Sequence, residues 1–182
     1  MSTLSKTLNQ SKLSVKAQTF TALLATAAAV ALPQVCHLIG WATGTGKALG
    51  VALLPMHLPI LLVGLLAGPV AGTVAGFLSP LVSFALTGMP LLTNLPLMMA
   101  ELAVYGLVTG LLKNAKFPTL GKVALAQLAG RLCYAGVLAL AIYAFGNPEL
   151  SMQAALASTT TGIWGTVIQL AALPLLVKAV QR

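Results

Sequence analysis

Acidic side chains are nearly missing from this sequence. Only two occur in 182 residues, Glu101 and Glu149, and all charged residues together reach 7%. Soluble domains carry about 25% charged residues, so an ordinary water-facing surface is excluded. Aromatic residues are also few, at 5%, which leaves little material for a core of large rings. The two cysteines, Cys36 and Cys133, stand alone among apolar neighbours. That rules out a disulfide framework and leaves no metal-binding CxxC spacing. No GxSxG or HExxH motif is present. Gly44-Thr45-Gly46-Lys47 lacks the first glycine of a phosphate loop, and Ala48 follows its lysine. The chain therefore reads as a non-enzyme without resident cofactor or metal.

What is present is apolar. Hydrophobic residues make up 58% of the chain, and the mean hydropathy is +0.97. A single domain of this length has too little interior to hide so much apolar surface from water, so lipid must be much of its solvent. The apolar runs are continuous rather than alternating, which excludes a barrel of short strands. The expected fold is all-α, a polytopic bundle of about six transmembrane helices.

The expected layout is a polar tail over residues 1–17 and one membrane domain over 18–182. The first apolar stretch, near 17–35, is long and lacks a small-residue cleavage site, so it reads as a span rather than a signal peptide. A polar first loop covers 37–50. The run 51–86 is too long for one span, and Gly68-Pro69 divides it into 51–67 and 69–87. Further spans are expected near 97–112, 123–145 and 152–177. With the N-terminus inside, eight basic residues lie inside: Lys6, Lys12, Lys16, Lys113, Lys116, Lys122, Lys178 and Arg182. Only Lys47 lies outside, which is a strong positive-inside asymmetry and places both termini in the cytoplasm. The net charge of +8 is thus a topology signal, and nucleic acid is set aside as a partner.

Ionisable residues in lipid are costly and mark function by default. His57, Glu101 and Arg131 are the candidates. Measured from the outer helix ends, Glu101 lies about 6 Å deep and Arg131 about 20 Å, an offset of about 13–15 Å. A direct ion pair is therefore not the automatic expectation. Both a buried ion pair and a ligand pocket stay open for Glu101 and Arg131. His57, between Pro55 and Pro59, is either a hydrogen-bonding structural residue or a ligand contact. Asn94, Tyr105, Trp164 and the run Thr159-Thr160-Thr161 offer further polar groups. Trp41 and Lys47 lie in the first loop, where Trp41 is either an interfacial anchor or a cover for a site. Gly64, Gly68, Gly72 and Gly76 recur every four residues, and in the third span Gly72 and Gly76, followed by Ser79 and Ser83, form a stripe that admits a neighbouring backbone. Ala25 and Ala29 make a small-xxx-small pair in the first span.

Leu54-Pro55-Met56-His57-Leu58-Pro59, Gly68-Pro69, Ser79-Pro80, Gly88-Met89-Pro90 and Met99-Ala100-Glu101-Leu102-Ala103 with Tyr105-Gly106 together resemble the substrate-binding S component of an energy-coupling factor (ECF) transporter. The resemblance covers roughly residues 20–180. It implies capture of a vitamin or related micronutrient near the outer face of a bacterial cytoplasmic membrane, with the first loop as a lid. It implies partners as well: a membrane scaffold subunit, docked on a first-helix AxxxA pair at Ala25 and Ala29, and two ATPases. Transport would then draw on ATP hydrolysed by those partners. A carboxylate vitamin would suit Arg131, an amine Glu101, and a corrinoid His57; an uncharged or zwitterionic ligand fits the set as a whole. Two alternatives stay open. A stand-alone secondary transporter would share this hydropathy, although no internal repeat is visible. A structural membrane subunit would have pocket residues that pair only internally.

Overall fold

A backbone surrounded by lipid must bond to itself, and each described apolar run does so as helix. The computed structural model describes residues 14–147 and 150–180. Residues 1–13 of the expected tail, with Lys6 and Lys12, the turn at Pro148-Glu149, and Arg182 lie outside the described residues, and the tail's last residues, 15–17, are already helical. The helices are α1 (Val15–Ala42), α2 (Ala48–Leu53), α3 (His57–Ala67), α4 (Pro69–Thr87), α5 (Leu95–Leu111), α6 (Thr119–Ala139) extended by a π-helical turn (Leu140–Ala144), α7 (Met152–Thr161) and α8 (Ile163–Val180). Five segments have the length and apolar character of membrane spans: α1, α2–α3, α4, α6 with its π turn, and α8. The shorter apolar helix α5 has 17 residues, about 25 Å of rise, which is the lower limit for a span. The protein is an all-helical polytopic membrane bundle.

Three expected boundaries move. Residues 37–42 continue α1, so the first loop shrinks to 43–47 and Trp41 sits in the last helical turn. The helix persists because Gly40 is buried against the Gly46 carbonyl, where a Cβ would overlap it. The second span breaks at Leu54, which takes a left-handed conformation with φ 47 and ψ 51. Pro55 forces the break, since the residue before a proline is driven out of the right-handed helical region. The last span is split between Thr161 and Ile163.

The bundle is inverted relative to a soluble protein. Phe20, Leu23, Phe77, Leu128 and Leu132 are exposed, whereas Ser79, Glu101, Thr109 and Gln169 are buried. Buried hydroxyls bond to their own helices: Thr109 donates to the Tyr105 carbonyl at 2.7 Å and Ser79 to the Ala75 carbonyl at 2.6 Å. Thr160 and Thr161 likewise donate to the Ala157 carbonyl, at 2.8 and 2.6 Å.

Helix α5 lies at the centre, packed on α3, α4 and α6. The glycine stripe of α4 meets it directly. A Cβ on Gly72 would overlap the Gly106 carbonyl, one on Gly106 the Gly72 carbonyl, and one on Gly76 the Leu102 carbonyl. The two backbones touch, which lets dispersion and close dipoles hold the pair where lipid supplies no hydrophobic drive between helices. At one end, Gly68 turns the chain with φ 107 and Gly110 packs on Pro69. At the same end Lys122 folds back to donate to the Lys113 carbonyl at 2.8 Å.

Gly106→Ala therefore forces α4 and α5 apart and should cost about 1–3 kcal/mol. Gly136 has open space around it, so Gly136→Ala should be neutral or stabilising by up to about 1 kcal/mol. Thermal melts of both variants in detergent check the contrast; equal behaviour would mean that the α4–α5 contact does not limit stability.

Candidate functional site

The break at Leu54 exposes a carbonyl that an uninterrupted helix would have used. It accepts the His57 N–H at 3.1 Å and the Gln169 side-chain N–H at 3.1 Å. A carbonyl only accepts, so Gln169 must turn its amide nitrogen towards it. The Gln169 oxygen is then left to accept from Gln127 Nε2, at 3.0 Å. Gly165 completes the clamp, packed so closely on the Leu53 carbonyl that a Cβ would overlap it. Helices α6 and α8 thus hold the α2–α3 junction in place.

Below the junction lies the charged pair. Glu101 on α5 is 2% exposed. Its Oε1 accepts the Tyr105 hydroxyl at 2.8 Å and lies 3.1 Å from Arg131 Nη1 on α6. Gly130 makes room for this: a Cβ there would overlap the Tyr105 ring. The ion pair overturns the depth offset drawn from the sequence. That offset assumed level outer ends. Counted from their inner ends, Glu101 is about 15 Å up α5 and Arg131 about 18 Å up α6. The helices start level at the loop between them, and α6 with its π turn simply runs further outward.

His57 is 4% exposed, its ring 5.3 Å from that of Tyr105. Neither ring nitrogen makes a well-aligned hydrogen bond to a described residue. The Leu54 carbonyl and Arg131 both act on it electrostatically, but that carbonyl is already taken twice. Leaving a buried polar atom unpaired costs about 1–3 kcal/mol, so the imidazole has bonding capacity to offer to whatever borders it.

A cavity of about 300 Å³ opens beside His57. His57, Asn94, Glu101 and Arg131 all line it, with His37 and Gln34 from α1, Ser83 from α4 and Tyr134 from α6. Its apolar walls come mainly from Met56, Met89, Met98 and prolines 33, 55 and 90. Of the residues singled out in the sequence, these four converge. Tyr105 supports the site from beneath through Glu101. Trp164 is 67% and Trp41 81% exposed, and neither lines the cavity. Lys47 is exposed at the same end, its Nζ 3.9 Å from Met89 Sδ. Gln127 and Gln169 were not singled out, although a lone glutamine in an apolar span was a legible signal. Ala25 and Ala29 are buried, at 8% and 0% exposure, within the chain's own core. The exposed small pair at that spacing on α1 is Ala27 and Ala31.

A family model described as "ECF transporter, substrate-specific component" matches residues 12–179. The chain belongs to this family. Nothing matched among curated proteins or solved structures. As an S component, the protein is the substrate-specific subunit of an ECF transporter, a class that binds small substrates and works with a membrane scaffold and ATPase subunits. Its family is a transport family rather than an enzyme family.

Removing one partner of the S component's ion pair strands the other in a buried place. Arg131→Met alone should cost up to about 3 kcal/mol, and Glu101→Gln with Arg131→Met together should cost less than the sum of the single changes. A double-mutant cycle by thermal melting reads this coupling, and additivity would mean that the pair contributes nothing.

Proposed function

We propose that this S component captures a small vitamin or related micronutrient in the cavity beside His57. The buried imidazole, with no partner and facing that cavity, carries the reading. The cavity lies at the α2 end of the bundle, which the charge pattern assigns to the outside. Among the described residues, Lys16, Lys113, Lys116, Lys122 and Lys178 belong to the opposite end, where Thr21 and Val180 line a groove with Ala67. Both termini would then be cytoplasmic, in a bacterial cytoplasmic membrane. The loop 43–47, with Lys47 reaching Met89, is placed to cover the opening. A scaffold and two ATPases would supply the energy, and Ala27 with Ala31 is the small-residue pair left free to meet the scaffold.

Ligand at 100 times its dissociation constant should stabilise the detergent-purified chain by about 2.7 kcal/mol. A melting panel of water-soluble vitamins should therefore give a hit, and His57→Phe or Asn94→Ala should abolish it. A hit indifferent to both changes would move the site elsewhere. Docking has its own test. Ala27→Leu and Ala31→Leu should impair co-purification with the scaffold while ligand binding persists. Ala25→Leu and Ala29→Leu should instead lower the subunit's own stability.

A further inference from the structure

The cavity's polar edge carries information about the ligand. This step rests on reading the cavity as the binding site. Glu101 Oε1 is occupied by Tyr105 and Arg131, whereas Oε2 has no hydrogen bond to a described residue. Arg131 is engaged through Nη1 only, and its side chain is 24% exposed. Both residues line the cavity, so guanidinium N–H groups and a carboxylate oxygen that their mutual contact does not use stand side by side at its edge. Around them stand further polar groups: the His57 and His37 imidazoles, the Asn94 amide and the Ser83 hydroxyl.

Charge decides what fits this edge. The two ions cancel each other. An anionic ligand on Arg131 would crowd a second carboxylate beside Glu101, and a cation on Glu101 would crowd Arg131. Either leaves a net charge among methionine and proline side chains, where an uncompensated charge is expensive. A zwitterion needs both of its charges stripped of water, with only the one ion pair to receive them. A ligand that accepts from Arg131 and donates to Glu101 without charge of its own satisfies the edge at no such cost. Size narrows the choice further. A volume of about 300 Å³ is at the small end of ligand cavities, enough for one or two rings. The corrinoid considered from the sequence is too large for it.

We propose that the cavity selects an uncharged one- or two-ring heterocycle whose rim carries a carbonyl beside an N–H, as in a lactam or primary carboxamide. The carbonyl accepts from Arg131 and the N–H donates to Glu101 Oε2. His57 and Asn94 bond the remaining ring heteroatoms, and the methionines and prolines cover the faces.

Matched probes test this on the full-length purified chain. Pyridine-3-carboxamide is compared with pyridine-3-carboxylate, and pteridine-2,4-dione with its 3-N-methyl derivative, by thermal shift and calorimetric titration. The carboxamide and the unmethylated dione should bind at least about tenfold more tightly than their counterparts. In Glu101→Gln the compensating charge is gone, so the carboxamide-to-carboxylate preference should shift towards the carboxylate by about tenfold or more. If that variant does not fold, the wild-type ratios alone decide. Equal or tighter binding of the carboxylate or the methylated dione overturns the proposal, as does silence of the whole matched panel. If carboxylates win and lose their binding in Arg131→Met, the cavity reading stands and only the ligand class falls. If the best binder is indifferent to Arg131→Met, His57→Phe and Asn94→Ala, the cavity reading falls with it.

Discussion

A carboxylate held inside a membrane bundle must be matched, and the structure is arranged around the matching of Glu101. The helix that carries it, α5, is packed on three others. The match is shared by Tyr105, one turn along the same helix, and Arg131, reaching in from α6. Each contact depends on a small residue elsewhere. Gly130 admits the Tyr105 ring, and Gly72 with Gly76 lets α4 close on α5 backbone to backbone. Had α4 or α6 stood further out, the acid would have been left facing lipid or an empty gap, at a cost no single hydrogen bond offsets.

The second constraint is the proline-enforced break above this pair. Pro55 turns Leu54 left-handed, and the freed Leu54 carbonyl draws in Gln169 and, through it, Gln127. These buried amides sit in an apolar setting where a missing partner would be costly. They fix the α2–α3 junction to α6 and α8, and so fix the imidazole that follows it. If the cavity takes a ligand as proposed, an imidazole fixed in this way spends less of the binding energy on ordering side chains.

The two faces of α1 divide the remaining work. One face, with Ala25 and Ala29, is spent on the core, while Pro33, Gln34 and His37 further along reach the cavity. The other face keeps Ala27 and Ala31 towards the surroundings. A single helix thus borders the cavity, holds the bundle and leaves a small-residue face open. A bulky residue on either face would affect a different property of the protein.

Much of this was legible in the sequence. Continuous apolar runs and glycine-proline punctuation determined an all-helical membrane bundle, because lipid leaves a backbone few choices, and lysines gathered in alternate connections carried the expectation of its orientation. The motifs from Leu54 to Gly106 carried the family, and the cost of charge in lipid singled out His57, Glu101 and Arg131. Distances between helices were a different matter. Depth along a helix follows from residue counts only when its neighbours end level. Here α6 outruns α5, so the Glu101–Arg131 ion pair, one of the readings that the sequence left open, was decided only when the helices were set side by side. The same holds for the two faces of α1, since a run of alanines gives no sign of which side meets the core. The sequence by itself determined which residues lie in the membrane and which of them are too polar to be idle. Only the tertiary structure decided which of those satisfy one another and which, like His57, line a cavity without a partner among the described residues, because pairing depends on helix register and close approach that no local pattern encodes.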